Sequence, residues 1–439
     1  MLAFAARAGE FSCDIVALMH SEPREVSATP ARQRDANERA ASRKHMSRIF
    51  FHGKRPYFRK LAMVNPSTYS AQLADGTISV HVDRSLVSPI EMFGFGQRIN
   101  PKRSFLFVSK VLGRFLPIRP SVMGNAFDLL ASQIPADIPG PVLFIGIAEA
   151  GIGLGAGVHR RFRELTGRGD AIYICSTRHD LKLPLLCEFE EEHSHAPRHL
   201  LHEPCEARLR DLVHGATGLV LVDDEASTGK TFANIFAALP AKIRLKLKHT
   251  ILLTLTDWSE GAARAEITGT VSEATIVSGR YSWTPRGDFT AATPQVPSCD
   301  RPKRPEVCPD VARDWARLGV VDHLQGLNAN AADDGITLVL GTGEHVWQPF
   351  LLAERLEKEG AEVFYSSVTR SPLSKGHAIG SVLSFSDNYG GTVPHYLYNV
   401  DPALYSKIIL CSETGPENVC ASLMSALGDP IVLSDVEGE

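Results

Sequence analysis

The sequence lacks the features that would place it in several large functional classes. Its 439 residues contain no apolar run long enough to span a bilayer. Its eight cysteines form no C-x-x-C pair, which argues against a structural zinc site and fits reduced thiols in a cytosol. The net charge is -4 and no basic stripe with interleaved aromatic residues occurs, so a nucleic-acid partner is not expected. These absences predict a cytoplasmic protein that acts without a membrane or a nucleic acid.

Composition shifts along the chain suggest where its domains divide. A chain of this length has room for two or three domains. Residues 1–49 are predicted to be a disordered extension, because residues 21–49 are rich in Arg, Ala, Glu and Ser. Six prolines within residues 285–309 predict a semi-rigid linker. The predicted folded domains are residues 50–284 and 310–439.

Apolar strand-like runs alternate with helical segments in both predicted domains. This alternation predicts an α/β fold with a doubly wound, mainly parallel sheet, plus a second, smaller α/β domain after the linker. Functional residues are expected in the turns after the strands, because ligands bind at the carboxyl ends of strands in such a sheet. The predicted strands lie at 76–83, 141–147, 171–175, 219–222, 249–256, 274–277, 337–340, 361–365 and 407–411.

The stretch at residues 219–231, LVLVDDEASTGKT, combines a strand, an acidic pair and a phosphate-binding turn. Four apolar residues predict a buried strand, and a helix is predicted to follow the turn. A helix N-terminus presents free N–H groups and a partial positive charge, which attract phosphate. The hydroxyls add donors, and the glycine lets the backbone approach a ligand closely. The predicted phosphate contacts are Ser227, Thr228, Gly229, Lys230 and Thr231.

The same stretch ends like a P-loop, but its spacing excludes that interpretation. A P-loop would need glycine five positions before Gly229, where this chain has Asp224. Carboxylates beside a triphosphate would repel it unless a metal intervened. A carboxylate pair beside a monophosphate site suits a sugar phosphate, so Asp223 and Asp224 are predicted to accept hydrogen bonds from ribose hydroxyls.

A second strand-to-helix turn, formed by Glu149, Ala150 and Gly151, follows the predicted strand at 141–147. Small residues at such a turn are also common for packing alone. The position of this turn ahead of residues 219–231 favours a second anion-binding site.

Three further segments carry weaker signals. Residues 98–103 contain three cations, which suit either a solvated turn or an anion contact. The segment after them is predicted to form a helix whose start is marked by Asn100 and Pro101. Residues 187–199 contain His193 and His195, which suit a lid, a metal site or a plain surface hairpin. Arg178 is a candidate for the same lid.

Arg370 stands between two hydroxyl residues at the end of a predicted strand. With them it could hold a phosphate or a carboxylate bidentately. The alternative is a surface arginine before a proline. The turn at 341–343 lies at the end of another strand, where the sheet would bring it close to Arg370.

Together these motifs resemble those of type I phosphoribosyltransferases. Residues 219–231 match the signature for 5-phosphoribosyl pyrophosphate (PRPP): four apolar residues, two acids, three variable residues, then Thr-Gly-x-Thr. The chain is similar to bacterial phosphoribosyltransferases with a C-terminal TRSP domain, which are often associated with tellurium-resistance stress operons. The further segments that carry this resemblance are residues 100–109, 192–195, 341–344 and 369–372.

The resemblance implies an enzyme that transfers 5-phosphoribosyl from PRPP to an unidentified small-molecule acceptor, releases pyrophosphate and makes a nucleoside-like metabolite. It implies Mg²⁺ bound with PRPP and catalytic roles for Asp223 and Asp224. It also implies that backbone amides at Glu149 to Gly151 bind pyrophosphate, often beside a cis peptide bond. Ser227 departs from several purine enzymes, which have a carboxylate there, so a purine acceptor is less expected.

Two other functions remain open at this stage. The chain could be a non-catalytic PRPP-sensing regulator, or a bifunctional enzyme with a second site in the TRSP domain. A homodimer is one option for the oligomeric state.

Overall fold

The computed structural model describes residues 66–100, 102–191, 198–287, 317–319, 324, 326–390 and 393–434. The predicted extension at 1–49 and nearly all of the predicted linker at 285–309 lie outside these residues. All described residues belong to one compact unit.

The strands, numbered in chain order, are β1 (Ser67–Leu73), β2 (Gly76–Ser85), β3 (Phe93–Arg98), β4 (Phe105–Ser109), β5 (Val142–Gly146), β6 (Ala171–Cys175), β7 (Leu185–Glu190), β8 (Arg198–His202), β9 (Gly218–Val222), β10 (Glu225–Ala226), β11 (His249–Asp257), β12 (Val271–Pro285), β13 (Thr337–Gly341), β14 (Val363–Ser367), β15 (Leu373–Ser374), β16 (Val382–Ser386), β17 (Pro394–Tyr398), β18 (Lys407–Ser412) and β19 (Ile431–Ser434). The α-helices are α1 (Pro89–Met92), α2 (Pro120–Ala131), α3 (Ala150–Thr166), α4 (Ala207–Gly215), α5 (Lys230–Ala238), α6 (Ala241–Arg244), α7 (Ala262–Ala265), α8 (Trp347–Lys358) and α9 (Ala421–Leu427). Short 3-10 helices span Pro402–Leu404 and Pro416–Asn418.

The central sheet has the order β1-β2-β12-β11-β9-β5-β6, and β10 extends it beside β11. Pairings from β12 to β6 are parallel, while β1, β2 and β12 pair antiparallel. Every residue of β5, β6 and β9 is buried, as expected for parallel strands covered on both faces. The predicted α/β fold with a mainly parallel sheet is confirmed.

Helix α3 lies unusually close to this sheet. A Cβ atom added at Gly151 would lie 2.5 Å from the carbonyl oxygen of Val222 in β9, and one at Gly155 would lie 2.6 Å from the Tyr173 ring in β6. Any side chain at either position would push the helix away. The glycines of the α3 sequence therefore serve the close approach that positions the start of α3 beside the end of β9.

The segment that follows Asn100 is a strand, so the helix predicted there is wrong. Phe105–Ser109 is β4, which pairs antiparallel with β3. Asn100 accepts a hydrogen bond from the Lys102 N–H through its side chain (2.9 Å) and one from the Arg103 N–H through its carbonyl (3.2 Å). Asparagine before proline favours such a turn as well as a helix start, and the aromatic residues of β4 favour a strand.

A small antiparallel sheet joins the two halves of the chain. It has the order β15-β3-β4, and β15 pairs with β3 through Leu373 opposite Arg98 and Ser374 opposite Gln97. We call these three strands the hood, because they border the cleft described below. The hood therefore contains strands from both predicted domains.

The C-terminal part of the chain has its own parallel sheet, with the order β14-β13-β18-β19. Helix α8 connects β13 to β14, in agreement with the alternation of strands and helices predicted for the second, smaller domain. Helices α3 and α8 are joined by a buried ion pair, in which Arg160 donates to both oxygens of Glu354 (3.0 and 2.7 Å). This sheet is thus bound to the central one through side chains as well as through the hood.

Among the described residues, no helix is long and apolar enough to cross a membrane. The thiols of Cys175, Cys187 and Cys411 are buried and free, and that of Cys205 is exposed and free. Cys420 is disulfide-bonded, so the expectation of reduced thiols does not hold at that position.

Candidate active site

A cleft lies between the hood and the carboxyl ends of the central strands. It brings together residues from the turn after β5, the turn after β9, the β7–β8 hairpin and the segment after β14. The lining residues are Arg98, Arg103, Leu106, Arg114, Phe115, Ala148, Glu149, Ala150, Arg178, Glu191, Asp223 to Phe232, Asn234, Thr369, Arg370 and Ser371.

Two adjacent carboxylates, Asp223 and Asp224, follow β9 directly and face the cleft. Their backbone is held by the neighbouring strand, because the Asp223 N–H donates to Leu253 (3.1 Å) and the Asp224 carbonyl accepts from Leu255 (3.1 Å). Burial and the neighbouring charge of Asp224 raise the pKa of Asp223 well above its ordinary value. Burial and the charge of Glu225 raise the pKa of Asp224 to about 6. The pair is therefore poorly compensated and suited to a cation or to hydroxyl donors.

The turn between β9 and α5 forms one wall of the cleft, and all five predicted phosphate contacts line it: Ser227, Thr228, Gly229, Lys230 and Thr231. Helix α5 begins at Lys230, and its first N–H groups have no partner within the helix. Gly229 adopts a φ of 76°, and a Cβ atom there would lie 2.2 Å from the Ala263 Cα atom. Only glycine fits this conformation and this contact, so the turn is held in a narrow set of geometries.

The turn after β5 also borders the cleft. The peptide bond between Ala148 and Glu149 is cis, as the resemblance implies, and α3 begins at Ala150. Ala148, Glu149 and Ala150 line the cleft. Gly151 is not among the lining residues, and its N–H donates to the Ile147 carbonyl (2.9 Å). The structure therefore brings Glu149 and Ala150 to the cleft, while Gly151 serves the packing of α3.

The Glu149 carboxylate is held from two sides. Arg114, in the loop after β4, donates to Oε2 over 2.8 Å, and Thr369 Oγ1 donates to the same oxygen over 3.0 Å. Arg370 Nε lies 3.6 Å from Oε1. Burial works against ionisation, but the charges of Arg114 and Arg370 outweigh it and hold the pKa of Glu149 below its usual range. A charged Glu149 thus links the turn to both Arg114 and the segment after β14.

Arg370 reaches the cleft with its neighbours Thr369 and Ser371. Its Nε atom donates to His395 Nε2 (3.4 Å), and its Nη2 atom lies 3.2 Å from His179 Nε2. Burial lowers the pKa of His179, and it lowers the pKa of His395 to about 4. Neutral imidazoles accept hydrogen bonds, so the two rings orient the guanidinium without repelling it.

The β7–β8 hairpin borders the cleft through Glu191, and the segment between β6 and β7 borders it through Arg178. Arg178 Nη2 donates to Glu191 Oε2 (3.1 Å), and the Arg178 N–H donates to Glu344 (2.8 Å). His193 and His195 lie outside the described residues, so their predicted role stays a prediction. Among the residues described, no group of three or more His, Cys, Asp or Glu side chains is arranged to hold a metal ion.

Two family models match the chain. Residues 92–280 match the family described as "Phosphoribosyl transferase", and residues 316–427 match the one described as "TRSP domain C terminus to PRTase_2". We refer to residues 92–280 and 316–427 by the models that they match, as the phosphoribosyltransferase domain and the TRSP domain. No match to a curated protein was found.

The chain is also similar to solved phosphoribosyltransferase structures. Orotate phosphoribosyltransferase from Aeropyrum pernix is 19% identical, with a TM-score of 0.24 over 40% of this chain and 80% of that one. Adenine phosphoribosyl transferase from Trypanosoma brucei, in complex with AMP, pyrophosphate and ribose-5-phosphate, is 11% identical, with a TM-score of 0.28 over 43% of this chain and 80% of that one.

The TRSP domain contributes to the cleft of the phosphoribosyltransferase domain. Thr369, Arg370 and Ser371 line the cleft, and β15 follows them into the hood. A buried acid of the TRSP domain, Glu344, accepts hydrogen bonds from Thr177 Oγ1 (2.5 Å) and from the Arg178 N–H. The cleft is therefore complete only when both domains are present.

Sequence reasoning missed several residues of the cleft. Arg114 stands in a segment without a recognisable motif, and Glu191 lies in the predicted segment 187–199, where only the histidines were named as candidates. Glu225 counts as a variable position of the signature, yet it accepts a hydrogen bond from Arg103 Nη2 (2.5 Å) and helps to raise the pKa of Asp224. The cations at residues 98–103 were the one sequence signal for these residues, and the structure places Arg103 at the cleft.

Proposed function

We propose that the protein transfers 5-phosphoribosyl from PRPP to a small-molecule acceptor and releases pyrophosphate. The observation that carries this proposal is that Asp223 and Asp224 line one cleft together with two strand-to-helix turns. One turn is residues 227–231, and the other is residues 148–150. PRPP has the same order of groups: a 5-phosphate, ribose hydroxyls and a pyrophosphate.

In this proposal each wall of the cleft binds one part of PRPP. The backbone N–H groups and hydroxyls of residues 227–231 hold the 5-phosphate, and the start of α3 at Glu149 and Ala150 holds the pyrophosphate. Asp223 and Asp224 accept hydrogen bonds from the ribose hydroxyls. When the C1–O bond to pyrophosphate breaks, C1 gains positive charge, which the two carboxylates stabilise until the acceptor forms its bond.

The donor set at the centre of the cleft fits Mg²⁺. Magnesium prefers carboxylate oxygens and keeps several waters, so one or two protein carboxylates suffice. Asp223 and Asp224 would hold it together with PRPP, and both have raised pKa values that a cation would lower. The bound cation would offset the charge of the leaving pyrophosphate.

Arg370 and Arg178 complete the proposed substrate contacts. Both guanidinium groups line the cleft beside Glu149 or Glu191, and a phosphate oxygen could share their donors. We keep His193 and His195 as proposed members of a segment that excludes water from the bound pyrophosphate.

One residue of the turn bears on which class of acceptor the enzyme uses. Ser227 stands where several purine enzymes have a carboxylate, so a purine is not the expected acceptor. A nucleoside-like product and a role in tellurium resistance follow from the resemblance to TRSP-containing transferases.

The test measures pyrophosphate release from PRPP and Mg²⁺ in the presence of a mixture of small-molecule acceptors. Asp224→Asn should lower the rate by about 10²–10³, because it removes one charge that stabilises the transition state. Normal turnover in this variant would contradict the assignment. Tight PRPP binding without any turnover in the wild-type protein would instead support the PRPP-sensing regulator.

A further inference from the structure

Behind the proposed pyrophosphate turn lies a chain of hydrogen bonds that the proposed mechanism does not use. The N–H of Ala148, next to the cis peptide bond, donates to Ser176 Oγ (2.9 Å). Ser176 Oγ lies 3.0 Å from His199 Nδ1, and His199 Nε2 lies 3.3 Å from Glu191 Oε2. The chain runs from the turn after β5, through the end of β6, to the β7–β8 hairpin at the edge of the cleft.

With a neutral His199 ring, one pattern of donors and acceptors satisfies every contact of this hydrogen-bond chain. Ser176 accepts from the Ala148 N–H and can therefore use its own proton to donate to His199 Nδ1. His199 then carries its proton on Nε2 and donates it to Glu191. Burial lowers the pKa of His199, which keeps the ring neutral as this pattern requires. The His199 ring also stacks on Phe189, with ring centroids 4.5 Å apart.

Both ends of the chain reach the cleft. Ala148 and Glu191 are lining residues, whereas the side chains between them are buried: Ser176 and His199 are each 0% exposed. Burial raises the pKa of Glu191, but the hydrogen bond from His199 and the charge of Arg178 outweigh it and lower that pKa to about 2. Glu191 is thus a fixed anion that holds its end of the chain.

The hydrogen bonds of the turn after β5 leave only some of its backbone N–H groups available to a ligand. The N–H of Ala148 is donated to Ser176, and that of Gly151 is donated to Ile147. Within the described part of the chain, the N–H groups of Glu149 and Ala150 donate no hydrogen bond. The hydrogen bond from Ala148 to Ser176 therefore fixes the backbone just before Glu149 and Ala150, whose N–H groups are open to pyrophosphate.

We infer that Ser176, His199 and Glu191 are positioning residues that hold the Ala148–Glu149 peptide in its pyrophosphate-binding orientation and link it to the β7–β8 hairpin. This inference rests on the proposed function, because it assigns the turn to pyrophosphate. None of the three residues is required to contact the reacting atoms. Their effect passes through the turn.

The experiment uses the full chain and two separate probes. Pyrophosphate with Mg²⁺ reports on the turn after β5, and ribose 5-phosphate reports on the turn at 227–231. Ser176→Ala and Glu191→Ala should each weaken pyrophosphate binding about tenfold, the effect of losing one good hydrogen bond, and should change ribose 5-phosphate binding less than twofold. Glu191→Gln keeps an acceptor for His199 and should restore much of the pyrophosphate affinity.

A matched histidine–carboxylate pair away from the cleft provides the control. His214 Nε2 lies 3.1 Å from Glu203 Oε1, and neither residue lines the cleft. His214→Gln should leave both affinities unchanged.

Three results would overturn the inference. One is unchanged pyrophosphate binding in Ser176→Ala, and another is equal weakening of both probes, which would indicate general damage. The third is wild-type protein that binds neither PRPP nor pyrophosphate, which would overturn the proposed function as well and is recognised without any variant.

Discussion

Thr369 donates a hydrogen bond to the carboxylate of Glu149 over 3.0 Å, although 220 residues separate them in the chain. Glu149 belongs to the proposed pyrophosphate turn, and Thr369 belongs to the TRSP domain. The conformation of a central element of the phosphoribosyltransferase domain thus depends on its C-terminal neighbour. This dependence argues that the TRSP domain completes the cleft.

We expect Glu149→Ala to lower the free energy of unfolding by about 3 kcal/mol, because it leaves the charges of Arg114 and Arg370 buried without their partner. Equilibrium denaturation with urea measures this change. Glu362→Ala is the control, since Glu362 pairs with Arg119 over 3.4 Å at a half-exposed site, and its loss should cost less than about 1 kcal/mol. Equal losses in the two variants would contradict the assigned role of Glu149.

PRPP binding with Mg²⁺ should strengthen as the pH rises from about 5 to 7. The pKa of Asp224 is raised to about 6, so the free protein holds a proton there that the cation must displace. The free energy of unfolding should change in the opposite direction and fall as the pH rises. The folded protein binds the Asp224 proton more tightly than the unfolded chain does, so this stabilisation is complete below the ordinary pKa of an aspartate and is lost as the pH rises through about 6. Asp224→Asn should flatten both dependences.

Calorimetric titration in two buffers of different ionisation enthalpy checks this prediction. Near pH 6 the observed heats should differ between buffers, because binding releases a proton. Equal heats in both buffers would show that the carboxylate pair is already ionised in the free protein.

Two glycines with similar backbone angles separate conformational strain from steric contact. Gly261 has a φ of 83° and open space where a Cβ would stand, so Gly261→Ala should cost about 1 kcal/mol. Gly229 has a φ of 76° and would also meet Ala263, so Gly229→Ala should cost about 3 kcal/mol and weaken ribose 5-phosphate binding. Thermal or urea denaturation compares the two variants, and equal costs would show that the contact with Ala263 relaxes.

The Arg160–Glu354 ion pair should show strong coupling between α3 and α8. Glu354→Leu alone leaves the Arg160 guanidinium buried and should cost about 3 kcal/mol. The double variant Arg160→Met with Glu354→Leu should be more stable than Glu354→Leu alone, because it removes the uncompensated charge. A double-mutant cycle of unfolding free energies measures the coupling. Additive effects would show that the pair does not join the two helices.

Local sequence patterns predicted most of the parallel strands and the carboxylate pair, because buried strands and phosphate-binding turns are encoded by neighbouring residues. The pattern misled at Phe105, where Asn100 and Pro101 suit both a helix start and a hairpin turn. The contacts of Glu149 with Arg114 and Thr369 could not be predicted, since no local period specifies which distant segments meet. The contact between Ser176 and His199 could not be predicted for the same reason, although His199 lies in the predicted segment 187–199.

The pairing of β15 with β3 has a consequence for synthesis. The edge of β3 that receives Leu373 and Ser374 leaves the ribosome about 275 residues before its partner does. Until then the hood is a two-stranded hairpin with one open edge, which is marginally stable and prone to pair with other chains. A nascent chain that stalls before the TRSP domain therefore exposes the unpaired, aggregation-prone edge of β3 beside a cleft that still lacks its TRSP residues.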